Sequence, residues 1–438
     1  MIEPLLQAVP ASAARILEVG CGQGEYGKLL KERGGEGRHV FGIERDVAAA
    51  AIAAQNLDMV FRLDIEQEAP PLEEGSLDCI LFNHALERFA DPLSVLRRLQ
   101  PLLKEDGVLL CAVANAQNHA VISALFTNDF QYHDSGLPDR RHLRFFTLSS
   151  LYKLMLDADF LPNLLHAVIS PCSNEFLQAA IPLADYFRID PAAIHQRLST
   201  YHYVVAAFPL PKVTQPEESM SFVVCCNDRM QLENNLAASP CFQGRGHELF
   251  VVENAASAAD GINSGLERTR HRLVVALHQD VYLPQGWPAR FQAQWRLAES
   301  TFGPLGMAGV FGVSAQPGGF KRTGRIIDGG RLIYPPFALP APASSLDEVV
   351  LGIMRDSEVR LDPALGWHCY GTDAVFETAR RGWQIAILDA PCLHNSRFSG
   401  LKADFVASAM ALAEKWQEPR PLYTTCIRVG EDGGLAGW

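Results

Sequence analysis

The stretch ILEVGCGQGEYG, residues 16–27, decides how the first half of the chain folds. An apolar run closes at Val19, a cluster of glycines follows, and then comes a segment able to start a helix. Glycine has no Cβ, so backbone at such a turn can come close to a ligand. The free N–H groups of the next helix suit a carboxylate or a phosphate equally well. Gly22-x-Gly24-x-x-Gly27 matches the dinucleotide-binding fingerprint, but that match alone is weak, and a tight turn with no ligand produces it too. Register separates the alternatives. The strand stops at Val19, so the turn starts at Gly20 and the pattern is Glu18-x-Gly20-x-Gly22-x-Gly24. A second acid, Glu44, ends the next strand, where an acid accepts hydrogen bonds from ribose hydroxyls. A third, Asp64 in FRLDIE, closes the third strand and is placed to accept from an adenine amino group.

Working outward, strands are expected at Arg15–Val19, His39–Ile43, Met59–Leu63, Leu77–Phe82 and Val108–Val113. Helical patterns lie between them, notably Asp46–Asn56 and Pro92–Lys104, and Leu164–Ile169 and Tyr201–Phe208 are expected as final edge strands. Strand–helix alternation implies a parallel, doubly wound sheet. Pro209–Ser219 carries three prolines and no apolar periodicity, so residues 211–219 read as a linker between domains at 1–210 and 220–400. Strands restart at Met220–Cys226, Glu248–Val252 and Leu273–Leu277, Gly303–Ala343 reads as loop-rich, and residues 401–438 hold a helix near Ala403–Lys415 and a tail. A chain of 438 residues exceeds one typical core.

The composition is that of a globular protein, with 48% apolar and 20% charged residues. A net charge of −12 and a pI near 5.6 argue against a nucleic-acid or anionic-membrane partner. The N-terminus lacks a basic start followed by a long apolar run, and no stretch approaches the roughly 20 apolar residues that span a bilayer. Ten scattered cysteines without a CxxC pair read as reduced thiols, so a cytoplasmic location is expected.

ILEVGCGQG, GIERD, LDIE and LDCILFNHALERFADPLSVLRRLQPLLKEDGVLL, in that order, resemble a class I S-adenosylmethionine-dependent methyltransferase over residues 1–210. The resemblance implies that Gly20, Gly22 and Gly24, with Glu18 at the strand end, hold the methionine part of S-adenosylmethionine. It places Glu44 on the ribose, Asp64 beside the adenine, and Asn83 and His84 in the methyl-transfer cleft. The segment NAQNHAVISALFTNDFQYHDSGLPDRRHLRFFT resembles a branch attached to bacterial glycan biosynthesis, with Arg141 where that branch has Thr. His84, His142 and Arg144 are the candidates to activate a hydroxyl and steer an anionic acceptor, against the alternative that they form a structural polar network. Many relatives carry a second histidine where this chain has Arg88.

The second half has its own logic. One strand ends in Asn227-Asp228, the next in Glu253-Asn254, and LVVAL delivers His278-Gln279-Asp280 to its C-terminal end. Ligands of open α/β sheets sit there, and an acid so delivered can hold a divalent cation on a diphosphate. Residues 219–400 resemble the GT-A-type glycosyltransferases of family 2. That resemblance implies Glu253 for the nucleotide base or ribose, Asp280 and His394 for Mn²⁺ or Mg²⁺, and Asp373 as catalytic base. Only the last acid of the D-x-D motif is present, and the usual base position falls at Gly371, so Asp347 and Glu348 are further candidates. Asp280 as a turn residue, Asp373 as a helix cap and His368 as a packed ring beside Trp367 and Tyr370 are the structural alternatives.

The resulting expectation is an α/β protein of two domains, a Rossmann-like methyltransferase sheet followed by a GT-A-like nucleotide-sugar-binding domain. It acts on a small-molecule or glycan acceptor with a nucleotide-sugar donor. The rival expectation keeps the methyltransferase and makes the second domain a non-catalytic glycan-binding module.

Overall fold

The computed structural model describes every residue except 1–2, 35–36, 245, 398–402, 419 and 438, so the expected boundary between residues 400 and 401 lies outside the described residues. The chain forms two compact units, Met1–Lys212 and Val213–Trp438. Among the described residues, no helix is long and apolar enough to cross a membrane.

The first unit runs α1 (Glu3–Ala8), β1 (Arg15–Val19), α2 (Glu25–Gly34), β2 (His39–Ile43), α3 (Val47–Asn56), β3 (Met59–Phe61), β4 (Leu77–Asn83), α4 (Pro92–Leu99) and β5 (Leu103–Ala114). It continues through α5 (His119–Phe126), α6 (Leu148–Asp157), β6 (Phe160–Ile169), α7 (Asn174–Tyr186), α8 (Pro191–Ser199) and β7 (Thr200–Pro209). The strands form one sheet in the order β3-β2-β1-β4-β5-β7-β6. β1 pairs parallel with both β2 and β4, and only β7 and β6 run antiparallel to their neighbours. The strand order therefore reverses between β1 and β4, and a crevice opens beyond their C-terminal ends. Ile16, Leu17, Val40, Cys79, Ile80 and Leu109 are fully buried, as a sheet covered on both faces demands.

Helix ends follow local chemistry. Asp46 caps α3 by accepting the Ala49 amide, and Asp91 caps α4 by accepting the Ser94 amide. α4 stops at Leu99 rather than at the expected Lys104. Pro101 offers no N–H to the helix and its ring crowds the carbonyl four residues back, so the chain turns there and β5 begins at Leu103.

The second unit begins β8 (Ser221–Cys226), α9 (Arg229–Asn234), β9 (Glu248–Glu253), α10 (Ala258–Arg268), β10 (Leu273–Leu277), β11 (Val281–Tyr282), α11 (Trp287–Phe302) and β12 (Leu305–Gly309). Five short strands come next: β13 (Phe311–Gln316), β14 (Gly319–Gly324), β15 (Ile326–Asp328), β16 (Arg331–Ile333) and β17 (Ala341–Pro342). Then come β18 (Ser345–Leu346), β19 (Val350–Met354), α12 (Tyr370–Arg380), β20 (Gln384–Ile387), β21 (Leu393–His394), α13 (Ala403–Lys415), β22 (Leu422–Tyr423), β23 (Ile427–Val429) and β24 (Leu435–Gly437). The main sheet has the order β17-β20-β12-β19-β10-β8-β9, with β8, β9 and β10 parallel and β19 antiparallel to β10. Residues 303–343, expected as loop, hold β12 to β17. Gly318, Gly319, Gly329 and Gly330 take left-handed backbone in the turns between them, so the same glycines that suggested loop make tight hairpins.

β8 is buried on both faces: Phe222 and Val224 enter one cluster and Val223 the other. α10 packs on it through Gly265, where a Cβ would lie 2.4 Å from Val223 Cγ1 and 2.6 Å from Cγ2. A β-branched neighbour has no rotamer that relieves both contacts. Gly265→Ala is therefore expected to destabilise the second unit by ~1–2 kcal/mol, despite the ~1 kcal/mol that alanine gains in helix propensity. Urea unfolding followed by tryptophan fluorescence measures it, and an unchanged midpoint refutes the close packing.

Candidate functional site

At the switch point of the first unit, β1 ends at Val19 and the chain turns through Gly20, Gly22 and Gly24, whose φ angles are +69°, +54° and +76°. Left-handed backbone of this kind favours glycine. The amides of Gly20 and Cys21 both donate to the Ile43 carbonyl, which ties the turn to the end of β2. The Glu44 carboxylate then accepts the Gly22 amide through Oε2 (2.9 Å) and the Asp46 amide through Oε1 (2.9 Å). Asp64 accepts the Glu66 amide (3.0 Å). A cleft of about 440 Å³ opens here, lined by Gly20, Glu44, Asp64, Ala85, Arg88 and Arg141 among others. Its size suits a drug-sized ligand.

The expected cofactor residues divide. Gly20, Glu44 and Asp64 face the cleft. Gly22 is not part of the cleft lining, and a Cβ there would meet nothing within 4 Å. Gly24 is turned the other way, where a Cβ would lie 3.0 Å from the backbone of Ala53. Its smallness lets α3 pack against the turn. Glu18 does not reach the cleft. Its carboxyl is buried beneath α2, where burial pushes it up to about 8 against the opposing hydrogen bond from the Gly27 amide. It braces the glycine turn from behind, because a side chain at that strand position points into the core and not along the strand.

Asn83 and His84 stand at the C-terminal end of β4, beside the cleft lining. His84 has φ +50°, a conformation in which histidine is enriched, and its amide donates to the Ala112 carbonyl. Its Nδ1 lies 3.4 Å from Glu87 Oε1, and its ring meets His202 edge-on at 5.1 Å. Burial, then the neighbouring His84, push His202 down to about 4. His142 is buried, its Nδ1 has no partner, and burial holds it below the ordinary histidine range. Glu87 was not anticipated. Burial works against its charge, yet the His84 ring and the Ala114 amide (2.7 Å) outweigh this and hold it below the usual carboxylate range. Its backbone carbonyl also accepts the amides of Leu143 and Arg144, docking the segment that carries His142 onto the end of β4. Arg144 itself reaches the Ala90 carbonyl, so its charge is turned to backbone.

In the second unit, β19 lies antiparallel to β10, and the His278 amide donates to the Val349 carbonyl. This places Asp347-Glu348 at the same sheet edge as His278-Gln279-Asp280. β21 brings His394 there: its Nε2 lies 3.3 Å from Asp280 and its Nδ1 lies 2.8 Å from Asp328. Ligand atoms of His278, Asp280 and His394 lie within 4.8 Å of one another. Burial opposes charge on His394, but Asp280 and Asp328 outweigh it and keep the imidazole protonated well above its usual range. His278 is shifted the other way, first by burial and then by His394. Gln279 accepts the Asn227 and Asp228 amides, so the middle residue of this triplet fastens β10 to β8. Glu253 sits exposed at the end of β9 and pairs with Arg229 (2.6 Å).

Asp373 cannot serve as the base expected of it. It is wholly buried in α12, where Oδ1 accepts Trp416 Nε1 (2.7 Å) and Lys415 Nζ (2.8 Å) from the end of α13. One position along a helix rotates a side chain by about 100°, so an acid close to the expected site in sequence faces the core. A different acid stands at the vacancy. Glu348 Oε1 accepts the Gly371 amide (3.2 Å), and a Cβ on residue 371 would crowd Glu348 Cγ and Oε1 at 3.3 Å. Burial, then Asp347, push Glu348 up to about 8. Asp328, hidden in the turn-like sequence IIDGGR, was also missed.

A family model described as a methyltransferase domain matches residues 1–162. The chain is 29% identical over 157 residues to the ubiquinone biosynthesis O-methyltransferase of Ruegeria sp., covering 35% of this chain and 62% of that one. It is 28% identical over 144 residues to the tRNA 5-carboxymethoxyuridine methyltransferase of Escherichia coli K12, covering 32% and 55%. The chain thus spans a little over half the length of the curated relatives it matches. Among solved structures it is similar to the YcgJ protein of Bacillus subtilis, with TM-score 0.35, 15% identity and coverage of 48% of this chain and 97% of that one. The first unit is a class I S-adenosylmethionine-dependent methyltransferase domain, while the family match stops short of the second unit.

The Glu18 shift has a consequence for stability. Glu18 ionises near 4.5 when unfolded and near 8 when folded. Between those values the folded chain holds a proton that the unfolded chain has lost. This contribution is fully present below 4.5 and is lost as pH rises through 8. Glu18→Gln cannot ionise, so its unfolding midpoint is expected to gain on the wild type from about pH 5 to about pH 8.5. Parallel melting curves across that range refute the buried neutral carboxyl.

Proposed function

We propose that the first unit transfers a methyl group from S-adenosylmethionine to an oxygen of a small-molecule or glycan acceptor. The observation that carries this reading is the glycine turn at the switch point, with Glu44 on the Gly22 amide and Glu44 and Asp64 on one cleft. S-adenosylmethionine, when bound, supplies a methyl group on a positively charged sulfur. Gly20 and Gly22 let backbone approach its methionine part, Glu44 takes the ribose hydroxyls and Asp64 the adenine amino group. His84 stands on the acceptor side with Asn83, and His142 lies buried within the docked segment. Of the two relatives, one is named for ubiquinone biosynthesis and the other for tRNA. A net charge of −12 favours an acceptor other than nucleic acid.

A second reading concerns the other unit, and the convergence of His278, Asp280 and His394 favours it. These residues would hold a divalent cation such as Mn²⁺ or Mg²⁺ on the diphosphate of a nucleotide sugar, with Glu253 toward the nucleoside. The donor set fits: a cation replaces the proton on His394 Nε2 while Asp328 fixes Nδ1, the orienting arrangement common behind metal-bound histidines. With Asp373 buried, Glu348 is the acid left for the acceptor side. The protein is then a bifunctional cytoplasmic enzyme of glycan biosynthesis with a GT-A-like second domain.

Two experiments follow. Gly22→Val forces a β-branched residue into left-handed backbone at the turn, and Asp64→Ala removes an acid from the cleft. Each is expected to weaken S-adenosylhomocysteine binding by calorimetry about tenfold or more, or ~1.4 kcal/mol, and unchanged affinity in both rejects the cofactor site. For the second unit, UDP, GDP and dTDP are tested with and without Mn²⁺. One of them at about 100 times its dissociation constant should stabilise the unit by ~2.7 kcal/mol, only with metal, and Asp280→Ala should abolish the response. A response to free glycans alone assigns the unit to sugar binding without transfer.

A further inference from the structure

Glu87 is 1% exposed, yet it carries a charge, and the backbone alone does not require one. The Ala114 amide needs an acceptor, which the amide oxygen of a glutamine would supply equally well. Burying a carboxylate is costly unless it meets a partner that repays the lost hydration. The partner present is the His84 ring, with Nδ1 3.4 Å from Oε1. The other oxygen, Oε2, is buried with no hydrogen-bond partner, and Arg88 and His142 act on the carboxylate only through space. His84 is held from three sides. Its left-handed backbone is fixed by the Ala112 carbonyl, its ring packs edge-on against His202, and its Nδ1 faces the acid. About a third of the His84 side chain remains exposed, next to the end of the cleft lined by Ala85.

We propose that Glu87 is a positioning residue for proton removal: its carboxylate keeps the His84 proton on Nδ1, so that Nε2 presents a lone pair to the acceptor hydroxyl. This rests on the methyl-transfer reading of the same site. The acceptor oxygen forms its bond to the methyl carbon, and the electrons of the breaking carbon–sulfur bond stay on sulfur. The hydroxyl proton passes to His84 Nε2. The imidazolium so formed lies beside the Glu87 carboxylate and later releases its proton to solvent. A carboxylate behind a histidine acts this way in the serine-hydrolase triad, where its amide replacement leaves the geometry intact and imposes the wrong tautomer.

The test uses the full chain labelled with ¹⁵N-histidine and saturated with S-adenosylhomocysteine, at about pH 8, above the ordinary histidine range. In the wild type, the His84 signals, assigned with H84Q, are expected to show a protonated Nδ1 and a bare Nε2. Glu87→Leu removes the Oε1 that the Ala114 amide and His84 Nδ1 share, so the Nδ1 proton loses its acceptor and the two resonances should exchange character. E87D should retain the wild-type pattern, and calorimetric affinity for S-adenosylhomocysteine should change less than about threefold, or ~0.65 kcal/mol. An Nε2-protonated or doubly protonated His84 in the wild type, or the same tautomer in wild type and E87L, overturns the proposal. If E87L does not fold, E87D and the wild-type tautomer still decide it. Failure of the wild type to bind S-adenosylhomocysteine is a separate result that counts against the methyltransferase reading itself.

Discussion

Where a parallel strand ends, its last amides and carbonyls lose their ladder partners and must find others. Both units meet this constraint with side chains that come from neighbouring strand ends, and their candidate sites are built from the same side chains. Glu44 at the end of β2 holds the Gly22 amide after β1. Glu87 after β4 holds the Ala114 amide at the end of β5. Gln279 after β10 holds two amides after β8. Glu348, before β19, holds an amide at the start of α12. Each of these groups keeps further hydrogen-bonding capacity, and the second unit repeats with Gln279 and Glu348 the device that Glu44 and Glu87 use in the first.

Much of the first unit could be read directly. β1 and β2 came out at Arg15–Val19 and His39–Ile43 because a strand buried on both faces is a continuous apolar run bounded by polar or glycine residues. Glu44 was legible for the same reason, since it directly follows such a run, whereas β3 is only half-buried and ends at Phe61, short of the expected Leu63 and three residues before Asp64. Glu87 was not legible. It lies in a short 3-10 turn, and nothing in HALER distinguishes a buried glutamate from a solvated one. Glu18 was legible as a strand-end acid, but the direction of its side chain depends on the pleat of β1 against α2.

The second unit was harder to read because its strands are short. β15 to β18 have two or three residues each and carry no period that a window can detect. Sequence spacing found Asp280 and His394, which the fold brings together. It also found Asp373, which the fold turns toward Trp416 and Lys415. The distinction is geometric. A residue after a strand end projects into the crevice whatever its exact offset, whereas a residue inside a helix must have the correct angular position. Glycine at 371 and glutamate at 348 form a pair that only the fold can connect, since the absent Cβ of one makes room for the carboxylate of the other.

The docking of Leu143 and Arg144 on the Glu87 carbonyl bears on how such a domain can change its substrate. Two backbone hydrogen bonds use no side chain, so they persist through almost any replacement at residues 143 and 144 except proline. The segment before them, from the end of α5 to Asp139, makes its own contacts, among them the His133–Asp139 bridge and the Phe130–Phe145 ring pair, while its exit is pinned beside His84. Selection can therefore rework what the crevice admits without disturbing the arrangement around the imidazole. The register of that attachment, more than any one residue of the covering segment, sets where the segment leaves the site.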